Sequence, residues 1–359
     1  MTDRVLSTRA LNRALLARQL LLERSRLTLV EALEQVAGLQ TQYAPSAYIG
    51  LWSRLHDFGR SALTTALEQR HAVQATLMRG TIHIVSARDY HAFAAGVRQA
   101  RRDWWRGTTR RSRLADAPLE EVAARVRSVL ADGPLRRAQL VAALEEAGFD
   151  KALLGAAGLW VDMVRVPPSG TWEKRRADLY GLADDWLEPV EITEAEALAH
   201  LVRRYLRGFG PATLADIASW SGVNVTALRP VTAGLDLRRF RDEAGNELLD
   251  VPDGLLPDAD TPAPVRFMPT WDATLLVHAR RTQILPERYR SLVFSVKKPH
   301  STPTFLVDGA VAGAWRHEDG RIRLVPYGDL SAADRAALQE EGERLAVFHA
   351  PQRRSRSSR

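Results

Sequence analysis

The chain has no cysteine, and only four of its fifty basic residues are lysine. Without cysteine there is no disulfide framework and no thiolate metal site, which suits a reducing cytoplasm. Lysine is confined to Lys151, Lys174, Lys297 and Lys298, so Schiff-base chemistry on an amine nucleophile is not expected. No run of about 18 apolar residues occurs, so no membrane association is expected. The opening MTDRVLSTRALNRALLARQLLLERSR lacks the uninterrupted apolar stretch of a signal peptide. HExxH, P-loop, dinucleotide glycine fingerprint and nucleophile elbow are all missing. The nine histidines are scattered, and GTIHIV offers a single ligand. Neither a metal nor a nucleotide cofactor is expected.

What the chain has in excess is arginine. Its formal net charge is +7 and its isoelectric point is near 10.0. A basic balance of this size points to a polyanionic partner, and guanidinium forks match phosphate oxygens in pairs. Codon bias in a GC-rich genome accounts for most of the arginine-over-lysine skew, but not for the net excess. A length of 359 residues, 45% of them hydrophobic, allows two to four compact units.

Periodicity then suggests a repeated order of helices followed by strands. A first helix is expected over residues 8–23, with Leu11, Leu15 and Leu22 among its apolar positions. A second opens at a capping box, Thr28 with Glu31, and carries Leu33 and Val36. A third begins near Pro45 and carries Tyr48, Leu51 and Trp52. The stretch TLMRGTIHIVSARDY (76–90) reads as strand, with Ile82 and Ile84 on one face and Thr81, His83 and Val85 on the other. The pattern recurs with helices at Leu119–Leu130, 133–144 and 151–163, then a basic-tipped hairpin over 164–182. It recurs again from a second capping box, Thr193 with Glu196. GFGPATLADIASWSG (208–222) supplies the next helix and its turn, Asn224 caps another, and a hairpin turns at Gly245-Asn246. Three short helices followed by strand structure is the order of a winged helix. The expected fold class is therefore α+β, with three tandem winged helix-turn-helix units and a C-terminal β-rich, barrel-like domain. The expected boundaries are 1–114, 115–190, 191–264 and 265–350, with a disordered tail over 351–359. Asp308-Gly309 and Asp319-Gly320 should turn the C-terminal strands, and one last helix should span 331–348.

Two glutamines, Gln40 and Gln42, follow the second helix. If the segment is extended, residues two apart point to one side, so both amides face one cavity. If it is helical, they lie about 200° apart and share nothing. They can equally cap backbone groups at the end of the second helix. RQARRDWWRGTTRRSR (98–113) holds seven arginines and is the best phosphate-binding segment, unless it is a solvated helix face. Trp104 and Trp105 within it read as packing residues more than as a stacking platform. Arg79, Thr81 and His83 flank the glutamines. Lys174, Arg175 and Arg176 form a second basic tip. Lys297 and Lys298, with His300, form a basic C-terminal loop. Asp272 is the one carboxylate to consider near the site, with a cap or turn as its plainer role.

Four stretches, GLQTQYAPSAYIGLWSRL, LMRGTIHIVSARDYHAF, GFGPATLADIASWSG and FMPTWDATLLVHARR, together resemble the AlkZ/YcaQ family, and the resemblance covers residues 8–348. It implies a bacterial DNA glycosylase that removes bulky N7-alkylguanines and unhooks interstrand crosslinks. It implies three winged helices and a barrel in a C-shape around a DNA-sized channel. The family's catalytic signature is a glutamine, an often aliphatic residue, and a glutamine or aspartate. It falls on Gln40, Thr41 and Gln42, the glutamine form that resembles the azinomycin-resistance branch, with Thr41 departing from the aliphatic preference. The resemblance thus assigns catalysis to Gln40 and Gln42. DNA contacts are expected from Arg79, Thr81, His83, Arg101, Arg102, Arg106, Lys174, Arg175, Arg176, Lys297 and Lys298. The implied partner is double-stranded DNA carrying alkylated or crosslinked guanine, bound by a cytoplasmic monomer. The alternative reading is a winged-helix DNA-binding protein without catalysis, either a regulator or a protein that binds a genotoxin.

Overall fold

The structure is a computed structural model that describes residues 4–276, 282–294 and 301–351. Lys297, Lys298, His300 and the chain beyond 351 lie outside the described residues. The described chain is mixed α and β, with helices packed around three sheets of three, four and six strands.

The helix starts follow from their caps. Thr28 accepts from the Glu31 amide while Glu31 accepts from Thr28, opening Leu29–Gln35. The same reciprocal box at Thr193 and Glu196 opens Glu194–Phe209, and Asn224 caps Val225–Ala233. Each box satisfies donors that the helix cannot bond internally. Pro45 starts Pro45–Arg54 from its first turn. The first helix, Thr8–Arg18, is shorter than its apolar pattern suggests. Leu20 takes a left-handed φ of 56°, which breaks the run.

The expectations for 76–90 and 151–163 need correction. The 76–90 stretch is not one strand. Ala72–Thr76 and Ile82–Ser86 form a hairpin around a short turn at Met78–Gly80. Ser86 then caps a 23-residue helix, Ala87–Thr109, that the sequence reading did not separate. Its buried face, Tyr90, Phe93, Ala94 and Val97, recurs at helical spacing. In the 151–163 region only Lys151–Leu153 and Leu154–Ala157 are helical.

The hairpins do not stay separate. The six-stranded sheet runs Leu39–Gln40, Ile82–Ser86, Ala72–Thr76, Met163–Arg165, Leu179–Leu182, Leu135–Arg136. At its centre Gln74 pairs with Arg165 and Ala75 with Val164, antiparallel. Joining the two hairpins covers an edge that each would otherwise expose. The N-terminal strand Val5–Leu6 pairs parallel with Arg238–Asp242 of the third hairpin.

The C-terminal strands Arg266–Met268, Thr304–Val307, Ala310–Glu318 and Arg321–Pro326 form an antiparallel sheet in chain order. Among the described residues its two outer strands do not pair, so the expected barrel is an open sheet. The apolar face is covered by Ala332–His349, whose Leu338 and Leu345 reach Phe267, Phe305 and Trp315. The expected turns at Asp308-Gly309 and Asp319-Gly320 are present, all four residues at positive φ.

One core cluster runs through Leu15, Phe93, Tyr205, Trp220, Leu249 and Leu306, far apart in sequence. Two buried ion pairs bind distant segments: Arg18 to Asp250 at 2.5 Å and Arg54 to Asp272 at 2.9 Å. Asp272 also accepts from the Thr274 amide at 3.0 Å, so it serves as a helix cap as well as a charge partner.

Candidate active site and nucleic-acid interface

The glutamine segment owes its path to Gly38. Ala37 and Gly38 both hold positive φ, 58° and 78°, and turn the chain from helix into strand. A Cβ on Gly38 would stand 2.7 Å from Val85 Cγ1 and 3.0 Å from the Ile84 oxygen, so glycine is required twice over. Leu39 then pairs with Ile84 and Gln40 with His83. Leu39 turns into the apolar core, which sends Gln40 to the opposite face.

The segment is extended, but the two amides differ. Gln40 is 5% exposed, and its Oε1 accepts from Arg79 Nη2 at 2.7 Å. Gln42 is exposed, and its Oε1 accepts from the Ile82 backbone amide at 2.7 Å. Neither amide caps the second helix. Each oxygen keeps a second lone pair, and each side-chain NH2 holds no partner among the described residues. The pair therefore offers acceptors and donors within one short stretch, without formal charge.

Arg79 is held in place from two sides. It sits at a left-handed φ of 52°, and its Nη1 donates to the Trp220 oxygen at 2.5 Å. That carbonyl lies in the last turn of Leu214–Ser221, where the helix dipole favours a cation. Burial pushes the Arg79 guanidinium down to about 10, still charged at neutral pH. His83 is 2% exposed, and its Nδ1 meets the Thr81 oxygen at 3.0 Å. Burial first, then the Arg79 charge, pushes its ring down to about 3, so it is neutral at physiological pH. Thr81 donates to Met78, closing its own turn.

The structure brings Arg175 to the same place. Its Nη1 donates to the Tyr43 hydroxyl at 2.9 Å and its guanidinium lies 5.7 Å from the Tyr43 ring. Lys174 and Arg176 are exposed beside it, with Arg176 3.0 Å from Asp178. The Ala87–Thr109 helix brings Arg101 to a cavity that Arg79 also lines. Arg101 donates to the Thr76 oxygen at 2.9 Å. Arg102 and Arg106 instead cover Trp160, at 4.7 Å and 5.6 Å. Trp105 packs against the cluster that holds Val122, Val126 and Leu140, whereas Trp104 is 67% exposed. Both tryptophans line a cavity of about 440 Å³ that reaches Arg79, Gly80 and Arg101.

Sequence reasoning missed Tyr43 and Arg165. Tyr43 stands next to Gln42 and was legible as an aromatic at the end of a polar run. Arg165 carried no signal, because its partner Thr76 is 89 residues away. Among the described residues no group of acidic, histidine or cysteine side chains could hold a metal ion, and no helix is long and apolar enough to cross a membrane.

A curated relative, the interstrand DNA cross-link repair glycosylase of Streptomyces sahachiroi, is 24% identical over 357 residues, spanning 92% of this chain and 93% of that one. The solved structure of the Streptomyces sahachiroi DNA glycosylase AlkZ superposes with a TM-score of 0.80 at 20% identity, covering 96% of both chains. A family model described as DNA glycosylase AlkZ-like matches residues 33–348, which include the glutamine segment and each described cation around it, and the chain belongs to that family.

Proposed function

We propose that this protein is a monofunctional DNA glycosylase that hydrolyses the N-glycosidic bond of N7-alkylguanine, in monoadducts and in interstrand crosslinks. The observation that supports it most is the extended Gln40–Gln42 segment, set between the guanidinium groups of Arg79 and Arg175, in a chain of the AlkZ-like family. The repeats are read as winged helices over 1–114, 115–190 and 191–264 that line a DNA channel with the 265–350 sheet. The protein is read as a cytoplasmic monomer.

N7-alkylation makes guanine cationic and a good leaving group. Cleavage of C1′–N9 passes through an oxocarbenium-like state, which calls for a placed water and dipoles aimed at the sugar rather than for a strong acid or a metal. Gln42, exposed beside the strand, holds the water. Gln40, fixed by Arg79, faces the sugar and backbone. A neutral amide avoids the cost of burying an unpaired charge beside the cationic base. Arg79, Arg101, Arg102, Arg106, Lys174, Arg175 and Arg176, with Lys297 and Lys298, supply phosphate contacts. Thr81 and His83 shape the strand beneath the amides.

One observation favours a second reading. Both amide oxygens already hold protein donors, as they would in a DNA-binding protein without catalysis. Base release decides between the two. A duplex with a single N7-methylguanine is expected to lose the base to the wild type. The Gln40→Ala/Gln42→Ala variant should do so roughly a hundredfold more slowly or worse, while still binding DNA. Equal rates would remove the glutamines from the chemistry. Release by neither protein from a methylated or a crosslinked duplex would favour the binding protein.

A further inference from the structure

Arg165 is a buried cation and Arg101 a half-buried one, and neither has a carboxylate within ion-pair distance among the described residues. Arg165 is 7% exposed. Its Nη1 donates to Thr76 Oγ1 at 3.0 Å and its Nε to the Ala177 oxygen at 3.2 Å, and it lies 5.1 Å from the Tyr180 ring. Arg101 donates to the Thr76 backbone oxygen at 2.9 Å. The Arg101 Nη2 has no hydrogen-bond partner among the described residues, and the Tyr180 side chain is a further partner of Arg165. Other deeply buried arginines are neutralised: Arg18 by Asp250 and Arg54 by Asp272. Arg60 and Arg266 also lack a carboxylate, but they stand on separate elements.

Arg101 and Arg165 converge. Both line one cavity of about 270 Å³, with Arg137 and Thr76. Its one carboxylate, Asp162, is held by Arg98 at 2.6 Å. Desolvation holds Arg101 down at about 10 and lowers Arg165; at Arg101 the Asp162 charge offsets part of this and the Arg165 charge adds to it. Asp162 offsets the repulsion on the Arg101 side alone, and an anion bound between the two guanidinium groups would stabilise both. The cavity shares Thr76, Gly80, Arg101 and Gly155 with the larger one that reaches Arg79, the residue that holds Gln40.

We infer that Arg101 and Arg165, with Arg137 at the rim, form a pocket for one phosphate group of the DNA strand beside the lesion. The ligand chemistry is a phosphodiester, which two guanidinium forks bind through paired hydrogen bonds. Arg101 comes from the helix of the first repeat and Arg165 from the strand of the second. The phosphate would therefore bridge the joint where Gln74 pairs with Arg165. The inference rests on the reading that this chain binds damaged DNA, but not on its cleaving it.

The test is binding, not base release. A duplex carrying a cleavage-resistant 2′-fluoro analogue of N7-methylguanine is titrated at several salt concentrations against wild type, Arg101→Met, Arg165→Met, the double variant and Arg137→Met. Each phosphate around the lesion is replaced in turn by a neutral methylphosphonate. One replacement should weaken wild-type binding about tenfold and leave the Arg101 and Arg165 variants unmoved. Those single variants and the double variant should all lose the same salt slope, about 0.9 of a unit, because they share one phosphate. Arg137 is exposed, so Arg137→Met tests the site even if the buried variants do not fold. It should couple to the same methylphosphonate. A scan in which no position couples to these arginines overturns the inference, as does a double variant with two units of lost slope. If inorganic phosphate raises the Tm of wild type but not of Arg165→Met, while the scan stays flat, the pocket holds a free phosphate compound and the strand assignment is overturned. A coupled position in a protein that releases no base would keep this site and end the glycosylase reading.

Discussion

His83 shows how closely the candidate site is tied to folding. It pairs with Gln40 in the sheet, and burial first, then the Arg79 charge, pushes its ring from 6.5 down to about 3. The unfolded chain therefore binds a proton between about pH 6.5 and pH 3 that the folded chain does not. Stability falls as pH falls through that window, by at most about 1.4 kcal/mol per pH unit for one proton. His349, lowered to about 4 by burial and by His317, acts in the same direction. Urea midpoints measured between pH 7 and pH 5 should drop in the wild type and drop less in His83→Gln. Parallel pH profiles would show that the ring is not neutral in the fold. At this scale the sequence is half legible. Two polar side chains two apart after a helix marked Gln40 and Gln42, because an extended exit is the one geometry that lets them cooperate. The Arg79 grip on Gln40 was not legible, because it depends on a left-handed residue in a three-residue turn.

Caps and glycines carry the same argument to the level of elements. The boxes at Thr28 and Thr193 set helix starts that a reader can find by eye, since the bonds span three residues. The long Ala87–Thr109 helix has an equally local signal, Ser86 bonded to the Asp89 amide at 3.1 Å. It was obscured because the strand-forming run IHIV, rich in β-branched residues, leads straight into it. Gly38 offers the sharpest test. Gly38→Ala places a Cβ at positive φ and against Val85, which should cost about 2–4 kcal/mol from strain and overpacking together. Gly148→Ala is the matched control: its φ is also positive, at 81°, but nothing lies within 4 Å. It should cost about 1–2 kcal/mol from strain alone. Denaturant midpoints give both values. Base release should fall only for Gly38→Ala, since that glycine positions the Leu39–Gln40 strand. Equal losses in both variants would mean that Val85 moves aside without effect on the glutamines.

For the whole molecule, the repeats read from sequence are not equally self-sufficient. Residues 115–190 have a cluster of their own, built on Val122, Val126, Leu140, Leu144 and Leu154. Residues 1–114 do not, because Leu15 packs with Tyr205, Leu249 and Leu306, Arg18 with Asp250, and Tyr48 and Leu51 with Phe267 and Leu345. These joins were illegible because a two-residue strand pairing such as Val5 with Arg241 leaves no periodic trace, and a buried ion pair across hundreds of residues leaves none either. Isolated 115–190 should therefore melt cooperatively, weakened by the loss of Trp105 and of the Gln74 and Ala75 pairing. Isolated 1–114 should show helical circular dichroism but no cooperative transition, since its apolar faces lack their partners. Within the full chain, Asp250→Ala leaves Arg18 buried and unpaired, at a cost of about 3–5 kcal/mol. That loss should appear in hydrogen exchange as opening of the first and third repeats together, with the second less affected. Exchange that opens the first repeat alone would mean that the shared core does not couple them, and that the glutamine segment draws its order from its own repeat.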